Sequence, residues 1–162
     1  MSGIRRTKLK APITKEGYET LKHQLEILIA EKRPRLLRAL EEARAHGDFS
    51  ENADYEAAKE AYEFLQKKIS ELEGMLKNCE VIEIRQGRKE RVEFGSLVRL
   101  KNLESEEVSE FRLVGPYESN VKEGRISVHS PLGRALLGKT RGEVVSFSAP
   151  SGEKCYEVID VE

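Results

Sequence analysis

Residues 55–76 read YEAAKEAYEFLQKKISELEGML, and their spacing decides how the first half of the chain folds. Tyr55, Ala58, Tyr62, Leu65, Ile69, Leu72 and Leu76 recur at alternating steps of three and four, the period of a helix with a single apolar seam. Upstream, Tyr18, Leu21, Leu25 and Leu28 keep the same period, which resumes after Pro34 at Leu36, Leu40 and Ala43. Two such stripes zip together as an antiparallel helical hairpin. Thr14 stands where an N-cap would open the first helix, and Gly47 where a left-handed residue would close it. Pro34 predicts a kink, because it lacks an N–H and crowds the carbonyl four residues back. At 1.5 Å per residue, two helices of about 30 residues make a hairpin roughly 40 to 45 Å long, with its tip around Asp48.

Composition agrees with this shape. Of 162 residues, 35% are charged, 6% are aromatic and none is Trp, as expected of one thin seam beside a wide wetted surface. The net charge of -1 argues against gripping nucleic acid through bulk positive charge. No apolar run approaches the ~20 residues that span a bilayer, and the basic start MSGIRRTKLKAP has no secretory apolar core. A soluble cytoplasmic protein, without membrane partners, is expected. Cys79 and Cys155 are far apart and lack CxxC spacing, so they read as two reduced thiols.

The second half is punctuated differently. Residues 1–80 hold 4 of the 12 Gly and residues 81–162 the other 8, which signals strands joined by turns. Alternation predicts strands over 92–101, 110–114, 125–129, 144–149 and 155–161. In SPLGRALLGK, Ser130 is placed as N-cap, Pro131 at the first helical position and Gly138 as a stop. The fold class expected is therefore α+β: a two-helix coiled-coil hairpin followed by a small antiparallel sheet with one short helix. The expected division is a basic extension over 1–12, hairpin over 13–80, linker over 81–91 and sheet domain over 92–162.

Chemistry is concentrated at the tip. HGDFSEN sets Asp48 and Glu51 three residues apart, so both carboxylates project from one end of a rod. The same Asp-x-x-Glu spacing is also what a capping box demands at the start of the second helix. Two carboxylates alone are a poor Mg²⁺ site, since the ion takes octahedral oxygen and usually adds substrate phosphates and waters. Such a tip could only complete a site belonging to another molecule. Arg44, Lys59, Lys67 and Lys68 could form a basic strip nearby, although the interleaved Glu residues also describe an ordinary solvated face. His23, His46 and His129 are scattered, and neither a nucleophile elbow, a GxGxxG nor a P-loop is present.

The strings HGDFSENADYEAAKE and ISVHSPLGRALLGKTRGEVVSFSAPSGE resemble the two signature regions of bacterial Gre transcript cleavage factors. ITKEGYETLKHQLEIL and EKRPRLLRALEEARAHGD follow the family pattern too, so the likeness runs from about Ile13 to the C-terminus. The resemblance implies a factor, expected as a monomer, that binds bacterial RNA polymerase and rescues complexes that have slid backward and extruded the RNA 3′ end. Its coiled coil would enter the secondary channel while a C-terminal domain of FKBP-like fold docks at the rim. Asp48 and Glu51 match the family's tip carboxylates, which implies that they help hold a Mg²⁺ shared with the polymerase active centre. No cofactor is expected in isolation, and no complete active site of its own. Asn52 and Tyr55 fall on motif positions and are expected to support the tip. Arg44 and Lys59 match basic positions on the hairpin, implying phosphate contacts with the extruded RNA. Ser130 and Pro131 match the segment associated with polymerase docking, while also serving as a helix cap. The alternating charge of EAAKEAYEFLQKK fits the less basic of the family's two main branches. A paralogue that enters the same channel and inhibits polymerase is the alternative, against which the intact Asp48 and Glu51 speak.

Overall fold

A computed structural model of the chain describes residues 9–45 and 52–162, and of Asn52 the backbone alone. The chain divides into two compact units, one formed by Tyr18–Asn78 and the other by Cys79–Glu162 together with the residues up to Gly17.

The helical unit follows the seam. Helix α1 spans Lys15–Ile27, a π-helical turn follows over Leu28–Lys32, and α2 continues over Arg33–Ala45. Helix α3 takes Asn52–Lys77, and α2 packs along it. Leu21, Leu28, Leu65, Ile69 and Leu72 are buried, while Leu25, Leu36, Leu40, Tyr55, Ala58 and Tyr62 are half-buried. These are the seam positions. The disruption expected from Pro34 takes the form of the π turn: the Arg33 N–H reaches back to the Leu28 carbonyl, five residues away. A wider turn ahead of the proline ring gives the crowded Ala30 carbonyl room.

The second unit carries a five-stranded sheet. Strands β3 (Leu97–Asn102), β4 (Val108–Val114), β5 (Arg125–Ser127), β6 (Val144–Ala149) and β7 (Gly152–Val161) lie in the order β5-β4-β3-β7-β6. Helix α4 (Pro131–Leu136) packs on β6 and β5. Val98, Leu100, Leu113, Leu136 and Val158 form the centre of the core. The antiparallel sheet expected from the sequence needs one correction: β4 and β5 run parallel, pairing Arg112 with Arg125 and Val114 with Ser127. Residues 115–124 supply the crossover that a parallel pair requires, turning at Gly124, whose φ is +75°. The long strand expected over 92–101 also begins later. Gly95, at φ +84°, turns the chain before β3, and Val92 instead pairs with the segment behind α4, its N–H donating to the Lys139 carbonyl at 2.8 Å.

A second, two-stranded sheet belongs to the same unit. Strand β1 (Ala11–Ile13) pairs parallel with β2 (Cys79–Val81), Ala11 opposite Cys79 and Ile13 opposite Val81. Residues 11–13 thus belong to the sheet-bearing unit, whereas the sequence divided them between an extension and the hairpin. Burial explains the difference, since Ile13 and Cys79 both leave solvent there. The segment expected as a linker is likewise held: the Lys89 N–H donates to the Val161 carbonyl at 3.1 Å, and Arg85 pairs with Glu93 at 3.2 Å. Among the described residues, no helix is long and apolar enough to cross a membrane.

Candidate functional site

The described chain stops short of the tip. Asp48 and Glu51 lie outside the described residues, as does the Asn52 side chain, so the geometry begins at the helix ends that flank them. Arg44, in the last turn of α2, and Tyr55, in the first turn of α3, are brought together across the seam. The Arg44 Nη2 points at the Tyr55 hydroxyl from 3.5 Å, and the guanidinium carbon lies 5.8 Å from the ring centroid, within cation–π range. The hydrogen bond to the Tyr55 hydroxyl pushes the Arg44 guanidinium pKa up, and a guanidinium is a permanent cation in any case. Lys59 is exposed one turn further along α3. The helix spacing that places Tyr55 in the seam therefore also sets a cation on each helix near the tip-facing end.

The sequence reading missed a polar link further down the seam. The Gln66 amide donates to the Tyr62 hydroxyl at 2.6 Å, and the Arg33 Nη2 donates to Gln66 Oε1 at 2.9 Å. Arg33 Nε is buried without a partner, an arrangement that weakens local packing compared with an apolar pair. The available signal was Gln66 itself, a polar residue beside the heptad position Leu65.

In the sheet-bearing unit, Ser130 and Pro131 occupy the positions expected of them. The Gly133 N–H donates to Ser130 Oγ at 3.1 Å, and that hydroxyl donates to the Ser127 carbonyl at 2.6 Å. Pro131 fills the first helical position, where its missing N–H costs nothing. A Cβ at Gly133 would overlap the Ser127 carbonyl oxygen, so glycine lets α4 sit directly on the end of β5. Leu136, wholly buried, pins the other side. The result is a rigid, capped corner with Pro131 exposed on it.

Comparison with known proteins decides the family. Residues 11–81 match the family described as "Transcription elongation factor, N-terminal", and residues 87–162 match "Transcription elongation factor, GreA/GreB, C-term". The chain belongs to the GreA/GreB family of transcription elongation factors. A curated relative named "Transcription elongation factor GreA", from Syntrophobacter fumaroxidans, is 47% identical over 94% of this chain and 97% of its own. Another of the same name, from Thermodesulfovibrio yellowstonii, is 46% identical over 94% and 96%. Among solved structures, "GreA factor homolog 1 (Gfh1)" of Thermus thermophilus is 32% identical, covering 94% of this chain and 99% of its own with a TM-score of 0.44. The α+β class anticipated from the sequence is the class observed.

Proposed function

We propose that this chain binds bacterial RNA polymerase, carries Asp48 and Glu51 into the secondary channel on its hairpin, and stimulates the polymerase's own cleavage of backtracked RNA. The observation that carries this reading is the identity of 46–47% to GreA factors across nearly the whole of both chains, with HGDFSEN intact between the two helices. The intact Asp48 and Glu51 favour the cleavage reading over a channel-entering inhibitor.

The chemistry of the tip fits a shared site. Two carboxylates are hard oxygen donors of the kind Mg²⁺ takes, but they are too few to fill its coordination, so Asp48 and Glu51 would contribute ligands to an ion held mainly by the polymerase. When bound, that ion polarises a phosphate and favours an attacking water. The chain's own task is delivery. Carboxylates on the end of packed helices are held in place better than on a flexible loop, and the cations Arg44 and Lys59 flank the route an extruded RNA strand would follow. The capped corner at Ser130 and Pro131 serves docking. On this reading the factor has no catalysis of its own.

The test separates binding from stimulation. Asp48→Ala and Glu51→Ala should each retain polymerase binding in a competition assay while losing stimulated RNA cleavage. Wild-type cleavage rates in both variants would contradict the assignment, and suppression of cleavage by the unaltered protein would identify an inhibitor instead.

A further inference from the structure

Helix α1 opens with an unusual cap. Its N-cap Thr14 accepts the Gly17 N–H on its hydroxyl oxygen at 3.0 Å, which is half of a capping box. In the ordinary box the residue in Gly17's place is Glu or Gln, and its side chain reaches back to the N-cap N–H. Here that residue has no side chain, and the missing carboxylate arrives from a place 104 residues away: Glu118 Oε2 accepts the Thr14 N–H at 2.7 Å. The same oxygen faces the Gly115 N–H at 3.3 Å, and Glu118 Oε1 accepts the Thr14 hydroxyl proton.

The surroundings are shaped for this contact. A Cβ on Gly17 would lie 2.5 Å from Glu118 Oε1, and one on Gly115 would overlap the Pro12 carbonyl oxygen. Thr14 is 5% exposed and Ile13 is wholly buried, so the cap is shielded from competing water. Arg125 Nε donates to the Glu118 carbonyl at 2.9 Å, which ties the turn carrying Glu118 to β5. A carboxylate at a helix N-terminus is also favoured by the helix dipole.

We propose that Glu118 is a positioning residue: it completes the capping box of α1 from the crossover between β4 and β5, and so ties the Thr14–Gly17 turn to that crossover. A local Glu would cap the helix equally well, but would not tie it to that crossover. The role in stimulated cleavage rests on the proposed function, in which the helix that Thr14 opens leads to the tip.

Three variants separate the tie to the crossover from capping: Glu118→Ala, Glu118→Gln, and the double variant Glu118→Ala/Gly17→Glu, which rebuilds an ordinary capping box within α1. In the double variant the Cβ of residue 118 stays 3.1 Å from the new Cβ, a contact relieved by a few tenths of an ångström. Each is compared with the wild type in thermal unfolding, amide exchange, and RNA cleavage by backtracked polymerase at saturating factor. Glu118→Ala should speed exchange at the Thr14 amide at least tenfold and lower stimulation at least fivefold, with Glu118→Gln in between. The double variant should recover exchange protection and melting temperature while stimulation stays low. Recovery of stimulation together with stability would overturn the positioning role, reducing Glu118 to a cap. Unchanged exchange in Glu118→Ala would overturn the cap itself, whatever the protein's function. Absence of stimulation by the wild type would instead bring down the proposed function and the positioning role with it, so the two failures are distinguishable.

Discussion

Each of the two units has its own kind of interior. In the sheet-bearing unit, Leu100, Leu113, Leu136, Val98 and Val158 are wholly enclosed by strands and α4, with polar ends tied off by caps such as Ser130. In the helical unit, buried side chains belong to α1, the π turn and α3, while α2 has none. The helix that leads to the tip is therefore the most thinly packed element of the hairpin, and Leu37 and Phe64 remain exposed along it and its partner. Among the described residues, the helical unit buries its apolar side chains along one seam, whereas the sheet-bearing unit wraps its own in a continuous core. On the proposed function, the tip acts by charge delivered to a site that the polymerase provides.

The comparison can be broken by equal truncations. Leu100→Ala, in the wholly buried core, should cost about 2–5 kcal/mol, whereas Leu36→Ala, half-buried in α2, should cost about 1 kcal/mol by area lost. Calorimetric unfolding of the full chain measures both, and equal costs would remove the contrast. Next in size is the α4 corner. Gly133→Ala should destabilise the sheet-bearing unit by about 1–3 kcal/mol, because the Ser127 backbone cannot easily yield, and Ser130→Ala by about 0.5–2 kcal/mol through the lost cap. Both should weaken polymerase binding if this corner docks.

Smaller effects sharpen the electrostatic side. Lys59→Glu should lower stimulated cleavage at low salt, with the gap to wild type narrowing as salt screens phosphate attraction; a gap independent of salt would remove Lys59 from the site. The smallest test concerns the thiols. Cys155 is exposed and Cys79 buried, and desolvation pushes the Cys79 thiol pKa up. A raised pKa leaves less thiolate at neutral pH, so a thiol reagent should modify Cys155 first, with Cys79 reacting at least tenfold more slowly. Equal rates would show that the β1–β2 junction opens readily.

How much of this was legible follows from what each signal encodes. The period from Tyr55 to Leu76 names the seam because a helix repeats its face every 3.6 residues, and Leu65, Ile69 and Leu72 of that set are buried while the others are half-buried. Thr14 and Ser130 were readable as caps because capping is local. Pro34 announced a disruption, but whether its strain is absorbed as a bend or as a π turn depends on backbone spacing that no residue type specifies. Strand direction was not legible: alternation tells which face of β5 is buried, not which way it runs beside β4. Glu118 was hidden for another reason, since its partner is 104 residues away. The only local trace was Gly17, standing where a capping box would have Glu. At the candidate site, the residue pattern carried the reading further than the described geometry, which reaches Arg44 and Tyr55 and stops before the carboxylates.

On the proposed function, the tip completes a site that it does not itself contain. Its most direct test is release of RNA 3′ fragments in Mg²⁺, from backtracked polymerase complexes and from the same RNA without polymerase, each with wild type, with Asp48→Ala/Glu51→Ala, and without factor. Accelerated release is expected with wild type alone, and only in the presence of polymerase. Cleavage of free RNA, or equal acceleration by the double variant, would contradict it.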